Sequence, residues 1–86
     1  MRSFAHVVAD HQGLHARACV VISHEATKWA SDIRVRGNEQ RVADAKSMMS
    51  LLSLRAAQGE ELIVTCKGSD EVEAAGAMEA LMRMTI

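Results

Sequence analysis

The residue types best suited to chemistry lie together in one short segment, Gly13-Leu14-His15-Ala16-Arg17. An apolar run over residues 4–9 precedes this segment and a helix-like stretch over residues 16–28 follows it, so we expect His15 at the start of a helix. A neutral imidazole nitrogen is a nucleophile near pH 7, and a helix N-terminus offers free N–H groups to anions. Arg17 adds a guanidinium whose donors suit phosphate. The segment therefore predicts a site that could accept, hold and release a phosphoryl group.

The elements that must position this segment follow the order β-α-β-β-α-β-α. Apolar residues at helical spacing predict helices over residues 16–28, over residues 45–54 and from a cap at Ser69 or Asp70 onward. Alternating or β-rich runs predict strands over residues 4–9, 33–36 and 61–66, with a short returning arm over residues 40–43. Because one connection is a short hairpin, we expect an α+β fold in which a mostly antiparallel, four-stranded sheet carries three helices on one face. The predicted inner stripe of the last helix is Ala74, Ala77, Met78 and Leu81.

Length and composition limit the classes of protein that fit. The 86 residues predict a single domain over residues 1–86, and an apolar content of 49% favours a folded core. A formal net charge of −1 argues against nucleic-acid binding, and no apolar run is long enough for membrane insertion. Cys19 and Cys66 lie among apolar neighbours, so we expect buried free thiols and a cytoplasmic location.

Three separated segments give the chain a resemblance to a known family. The segment around His15 resembles the active-centre motif of HPr, the histidine-containing phosphocarrier protein of the bacterial phosphoenolpyruvate:sugar phosphotransferase system. Residues 44–54, Asp-Ala-Lys-Ser-Met-Met-Ser-Leu-Leu-Ser-Leu, look like that family's second helix. Residues 58–62 and 68–71 are similar to its last strand and to the start of its last helix. The resemblance covers nearly the whole chain and implies an open-faced β-sandwich with the same order of elements.

The resemblance also implies partners and residue roles. His15 matches the histidine that enzyme I phosphorylates at Nδ1 and that passes the phosphoryl group to enzyme IIA domains, and Arg17 matches the arginine that steadies the phosphate. Ser47 matches a serine that an HPr kinase phosphorylates in some bacteria. The residues that match the family's partner-docking surface are Val20, Met48, Met49 and Leu52. No cofactor is expected on this chain, because Mg²⁺ would belong to enzyme I, and we expect a monomer.

Three positions depart from the family's pattern. Ala18 stands where the motif usually has proline, so the first turn of the helix loses a residue with a fixed φ. Arg55 stands where glycine or another small residue is usual, and we expect it to add a second positive charge near the phosphohistidine. The loop before Gly13 is about one residue longer than in many members, which brings His11 close to the site.

The same residues allow other interpretations. Ser47 suits a helix cap as well as a phosphorylation site, and the two roles are compatible. A short second helix cannot bury all of its apolar side chains, so we expect at least two of Met48, Met49 and Leu52 to contact partners. The spacing of the histidines fits no metal-binding motif, so no metal is expected. The alternatives to a sugar-transport carrier are a regulatory or nitrogen-branch HPr paralogue and a protein-binding module of the same fold without relay activity.

Overall fold

The computed structural model describes residues 1–86 and contains four strands, three α-helices and one 3₁₀ turn. The strands are β1 (Arg2–Val7), β2 (Asp32–Arg36), β3 (Val42–Asp44) and β4 (Glu61–Lys67). The helices are α1 (Ala16–Ala26), α2 (Met48–Leu52) and α3 (Glu71–Thr85), and the 3₁₀ turn (Asn38–Gln40) joins β2 to β3. The predicted order β-α-β-β-α-β-α is therefore confirmed.

The four strands form one sheet in the order β1-β4-β2-β3, and every pair of neighbours is antiparallel. In the central strand β4, Val64 lies between Phe4 of β1 and Val35 of β2. The residues of β2 and β4 alternate between buried and less buried positions, as expected for a sheet with one covered face. The predicted α+β class is confirmed, since the sheet is open on one side and carries the three helices.

The core lies between the covered face of the sheet and the helices. It is aliphatic and sulfur-rich rather than aromatic, because Phe4 and Trp29 only pack against its edge. The largest fully buried side chains are Ile22, Ile33, Leu51, Leu62, Met78, Met82, Val8, Val35, Val64, Cys19 and Cys66. The set includes residues of every helix and of β2 and β4. Their burial holds the helices against the sheet through the hydrophobic effect.

Several predicted boundaries were wrong, because local hydrogen bonds end the elements earlier than the apolar pattern does. The first strand occupies Arg2–Val7 rather than residues 4–9, since its ladder with β4 ends at the pair Val7 and Glu61. Helix α2 is confined to Met48–Leu52, because Ser47 caps its start and Ser53 its end. Helix α1 ends at Ala26, where Thr27 is the C-cap. The returning arm predicted over residues 40–43 is Val42–Asp44, after the 3₁₀ turn.

The last helix differs from prediction in its buried stripe and in its cap. Ala74, Met78 and Met82 are buried, whereas the predicted Ala77 and Leu81 are only partly buried. Successive buried residues lie four positions apart, which is slightly more than one helical turn. The buried face therefore shifts gradually around the helix axis, which explains the difference. Asp70 occupies the N-cap position of α3, but its side chain accepts no hydrogen bond from the helix.

The Asp70 carboxylate instead joins α3 to the segment before β2. It accepts hydrogen bonds from the backbone N–H groups of Ala30 and Ser31, each at 2.9 Å, and from the Ser31 hydroxyl. These hydrogen bonds, led by that from the Ser31 hydroxyl, hold the pKa of Asp70 below its ordinary value. Asp70, which was predicted as a helix cap, therefore makes a tertiary contact with Ser31, 39 positions earlier in the sequence.

None of the helices has both the length and the apolar character needed to cross a membrane.

Candidate functional site

The loop that carries His15 is held by a close approach of two backbone segments. The N–H of Leu14 donates to the carbonyl oxygen of Ala56 at 2.9 Å. Gly13 has a φ of +68°, and a Cβ at this position would overlap the same Ala56 oxygen. Only glycine meets both conditions without strain. The loop after α2 therefore fixes the position of the residue directly before His15.

His15 is the N-cap residue of α1, and its backbone is extended, with φ −81° and ψ 169°. Its carbonyl oxygen accepts the first helical hydrogen bond, from the N–H of Cys19 at 3.0 Å. The ring nitrogen Nδ1 accepts from the N–H of Ala18 at 3.3 Å. Since an acceptor nitrogen carries a lone pair rather than a proton, Nδ1 is the nucleophilic nitrogen of the neutral ring. A quarter of the side chain remains exposed, so the ring can be reached from solvent.

The second ring nitrogen of His15 faces a carboxylate that the sequence did not indicate. Nε2 lies 3.6 Å from Oδ2 of Asp10. Asp10 is itself positioned, because its Oδ1 accepts from the N–H of Gln12 at 2.8 Å. The exposed His11 lies on the other side of Asp10, with its Nδ1 3.8 Å from Oδ1. A negative charge beside Nε2 favours the tautomer with the proton on Nε2, which agrees with the lone pair on Nδ1.

Two cationic side chains predicted for the site lie in different surroundings. Arg17 is exposed in the first turn of α1 and forms no ion pair, so its guanidinium is available to an anion. Arg55 follows α2 in a left-handed conformation, with a φ of +50°. It lines a shallow groove whose other residues are Asn38, Glu39, Arg41, Leu54 and Glu60. The backbone of Arg55 adjoins the site through Ala56, while a role for its charge beside the phosphohistidine stays a prediction.

The other residues predicted for regulation and docking lie on α1 and α2, which pack against each other. Ser47 is the N-cap of α2, and its Oγ accepts from the N–H of Ser50 at 3.2 Å. We call Val20, Met48, Met49 and Leu52 the docking patch. Val20 is 50% exposed and Met49 is 69% exposed, whereas Met48 and Leu52 are half-buried against the core. The patch therefore presents two strongly exposed apolar side chains and two that support them.

Both cysteines are free and fully buried, as predicted. Burial raises the pKa of the Cys19 thiol to about 11, and it also raises the pKa of Cys66. Both thiols are therefore protonated near neutral pH and unreactive. Cys19 lies beneath the loop, where its thiol faces the carbonyl oxygen of Leu14 at 3.9 Å. Its part in the site is thus packing.

Sequence reasoning expected free backbone N–H groups in the first turn of α1, but it missed Asp10 and the contact of the Ala18 N–H with Nδ1. Asp10 lies five positions before His15 in a loop, where no periodic pattern predicts a contact. The Ala18 donor could have been found, since the absence of proline at this position leaves an N–H in the first turn of a helix.

Comparisons with known proteins give the family of this chain. The chain matches the family model for the PTS HPr component phosphorylation site over residues 3–84. The phosphocarrier protein HPr of Mycoplasma capricolum is 32% identical over 82 residues, which cover 95% of this chain and 91% of that protein. A solved structure of a Mycoplasma histidine-containing phosphocarrier protein has a TM-score of 0.94 at 31% identity, covering 98% of this chain and 94% of that one.

One further solved structure bears on assembly. An HPr dimer from Thermoanaerobacter tengcongensis has a TM-score of 0.76 at 31% identity and covers 98% of this chain and 95% of that one. The dimer is a property of that protein, and a monomer stays our prediction for this chain. The match of the family model to residues 3–84, with relatives of the same name and fold, shows that this chain belongs to the HPr family of phosphotransferase-system phosphocarriers.

Proposed function

We propose that His15 accepts a phosphoryl group from enzyme I and passes it to enzyme IIA domains. The observation that supports this most directly is the placement of His15. Its Nδ1 carries a lone pair at the N-terminus of α1, in a chain of the HPr family. This is a nucleophile beside a ready-made anion site, because the first amides of a helix have no partners within it.

The transfer step follows from the ring geometry. The lone pair of Nδ1 forms a bond to phosphorus while the bond from phosphorus to the donor protein breaks, and the donor's leaving group keeps that electron pair. The proton on Nε2 stays in place, so the ring gains positive charge as the new bond forms. The Asp10 carboxylate, 3.6 Å from Nε2, stabilises this charge. Transfer to enzyme IIA reverses these events, with Nδ1 as the leaving group.

Arg17 and the docking patch serve recognition in this proposal. The Arg17 guanidinium has no acidic partner within the chain, so it can pair with the phosphoryl oxygens without breaking an existing ion pair. Val20, in the helix that His15 caps, and Met49, in the adjoining helix α2, present exposed apolar side chains. A small interface of this kind, with apolar anchors and a charged rim, suits a transient encounter with several partners.

The test is phosphorylation followed by intact mass. The protein is incubated with phosphoenolpyruvate, Mg²⁺ and enzyme I, and one added phosphate is expected, labile to acid. His15→Ala must abolish this mass shift. His11→Ala is the matched control, because His11 lies in the same loop but is 83% exposed at its side chain. An unmodified wild-type protein in the presence of active enzyme I, or phosphate that persists in His15→Ala, contradicts the proposal.

Three parts of the proposal concern the surroundings of the reaction. Mg²⁺ is required by enzyme I, and this chain needs no cofactor of its own. Ser47 is a candidate for phosphorylation by an HPr kinase, and a phosphate there would add negative charge beside the docking patch and weaken contact with an acidic partner. The protein acts in the cytoplasm, where its free thiols stay reduced.

A further inference from the structure

The loop that carries His15 has a second anchor, the residue that follows α3. The backbone oxygen of Ile86 accepts hydrogen bonds from the N–H groups of Ala9, at 2.6 Å, and of Asp10, at 2.9 Å. The side chain of Ile86 belongs to the core and is only 3% exposed, and its N–H donates to the carbonyl oxygen of Met82 in the last turn of α3. The oxygen is therefore a fixed acceptor that joins the end of the last helix to the start of the His15 loop.

This contact begins where the pairing of β1 with the sheet ends. The N–H of Val8 still donates to the carbonyl oxygen of Glu60 at 2.9 Å. The next two N–H groups, those of Ala9 and Asp10, turn to Ile86, which is their only acceptor in the chain. Asp10 is partly buried, so the loss of this acceptor would leave a backbone donor poorly satisfied and would free the start of the loop.

Asp10 is the residue through which this contact reaches the nucleophile. The turn before His15 brings Asp10 near the ring, since the N–H of Gly13 donates to the Asp10 carbonyl oxygen at 2.9 Å. The Ile86 oxygen then holds the backbone N–H of Asp10, while Oδ2 of the same residue lies 3.6 Å from Nε2 of His15. Because an aspartate side chain is short, the position of its backbone decides where the carboxylate lies. The end of α3 is thus connected to the His15 ring by a single intervening residue.

We propose that Ile86 is a positioning residue for phosphoryl transfer and that it acts through Asp10. This inference rests on the proposed function. With the Ile86 oxygen in place, the Asp10 carboxylate stays beside Nε2, where it favours the proton on Nε2 and the lone pair on Nδ1. Without that oxygen, the start of the loop moves away from α3, and the carboxylate moves away from the ring into solvent. Ile86 touches no reacting group, so its effect on the rate cannot exceed that of Asp10.

The charge of Asp10 sets the size of the expected effect. The Asp10 side chain is 28% exposed, so its charge acts on the ring through surroundings that are partly aqueous. A unit charge at this distance in water corresponds to about a fivefold change in rate. We therefore expect Asp10→Asn to slow phosphorylation of His15 about fivefold and Ile86→Ala to approach this value. Ile86→Val keeps most of the buried side chain and should stay near the wild-type rate.

A double-mutant cycle tests the proposal. The rate of phosphorylation by phosphoenolpyruvate and enzyme I is measured by rapid quench in Ile86→Ala, in Asp10→Asn and in the double variant, at a temperature where all are folded. We expect each single variant to be about fivefold slower than wild type and the double variant to lose nothing further. A merely structural role of Ile86 would slow transfer equally in both backgrounds. Met84→Ala is the matched control, because Met84 lies at the same end of α3 but is 84% exposed.

Nitrogen-15 NMR of the His15 ring gives a second readout, which needs no enzyme I. At about pH 8 an ordinary imidazole is neutral, and its two tautomers differ in the chemical shifts of the ring nitrogens. Wild type, Ile86→Val and Met84→Ala are expected to carry the proton on Nε2. Ile86→Ala and Asp10→Asn are expected to show an increased share of the tautomer with the proton on Nδ1.

Transfer at the wild-type rate in a folded Ile86→Ala, or equal slowing by this substitution in both backgrounds, would overturn the positioning role. Hydrogen exchange on the wild-type protein keeps the test decisive if the variant does not fold. The amides of Ala9 and Asp10 should exchange more slowly than that of His11, which has no acceptor in the chain, and equal exchange refutes the contact with Ile86. A wild-type protein that takes no phosphate would instead overturn the proposed function, while the ring spectra would still decide the role of Ile86.

Discussion

Replacing Gly13 by alanine separates two reasons for a glycine in the His15 loop, backbone conformation and space. Gly13 and Gly59 both have positive φ, +68° and +90°. A Cβ on Gly59 would meet no atom within 4 Å, whereas a Cβ on Gly13 would overlap the carbonyl oxygen of Ala56 and lie 3.1 Å from Cα of Ala57. Gly59→Ala therefore measures the conformational cost alone, and Gly13→Ala adds the steric cost.

The expected magnitudes follow from these two terms. A left-handed alanine costs about 1–2 kcal/mol, of which about 0.4–1 kcal/mol is offset because alanine has less conformational freedom in the unfolded chain. At Gly13 the Ala56 carbonyl must also retreat, which breaks its hydrogen bond from the Leu14 N–H and costs about 1 kcal/mol more. We expect the free energy of unfolding to fall by about 1 kcal/mol in Gly59→Ala and by about 2 kcal/mol in Gly13→Ala.

The assay pairs urea and thermal unfolding with phosphoryl transfer. For a domain of this size, about 1 kcal/mol corresponds to about 4–8 °C in Tm, so the two variants are easily distinguished. Gly13→Ala is also expected to slow phosphorylation of His15, since the loop before the nucleophile moves, while Gly59→Ala leaves that rate near wild type. Equal loss of stability in the two variants would refute the argument, because it would mean that the contact with Ala56 contributes nothing.

Three further predictions concern other parts of the molecule. The pKa of Asp70 is lowered by its hydrogen bonds from Ser31 and Ala30, so its stabilising effect is complete above the ordinary aspartate pKa and is lost as pH falls through the lower folded-state value. Urea unfolding between about pH 6 and pH 2.5 should show stability declining below about pH 4, with a flatter profile in Asp70→Asn; an unchanged profile contradicts this assignment. Ser47→Ala removes the cap of α2 and should destabilise the protein by about 1 kcal/mol, a loss that equilibrium unfolding measures and that would be absent if the hydroxyl were merely solvated. Arg55→Gly keeps the left-handed backbone and removes the charge, so transfer to His15 should slow by up to about fivefold in rapid-quench kinetics, and unchanged kinetics exclude a role for Arg55.

Much of the fold was predictable, because periodicity reports burial directly. The alternation in β2 and β4 and the spacing in α1 gave the correct order of elements and most of the core. The errors lie at boundaries, where a single hydrogen bond decides the outcome. Ala45 has good helix propensity, yet its N–H donates to the carbonyl oxygen of Ile33 at 2.9 Å, so the chain stays in a turn until Ser47. A contact 12 residues away in sequence cannot be read from a local pattern.

The same distinction between local patterns and contacts made by the fold applies to the candidate site. His15 and Arg17 could be predicted because their chemistry resides in their side chains and their spacing places them in one turn of a helix. Asp10 could not, since a loop residue is brought to Nε2 only by the turn that Gly13 and Ala56 hold in place. The loop that follows α2 thus controls the nucleophile without contributing a reacting group. Substitutions there should change the rate of transfer through the position of His15.

The Ala18 amide shows that a departure from a family motif has structural consequences and is not simply a loss. The loss of proline removes a fixed φ and at the same time restores a donor, and the structure places that donor against the nucleophile. If flexibility were the main consequence, His15 would be less ordered. Instead, its two ring nitrogens face partners at 3.3 Å and 3.6 Å. At position 18, where the loss of proline suggests a weaker structure, the chain therefore gains an additional hydrogen bond to the His15 ring.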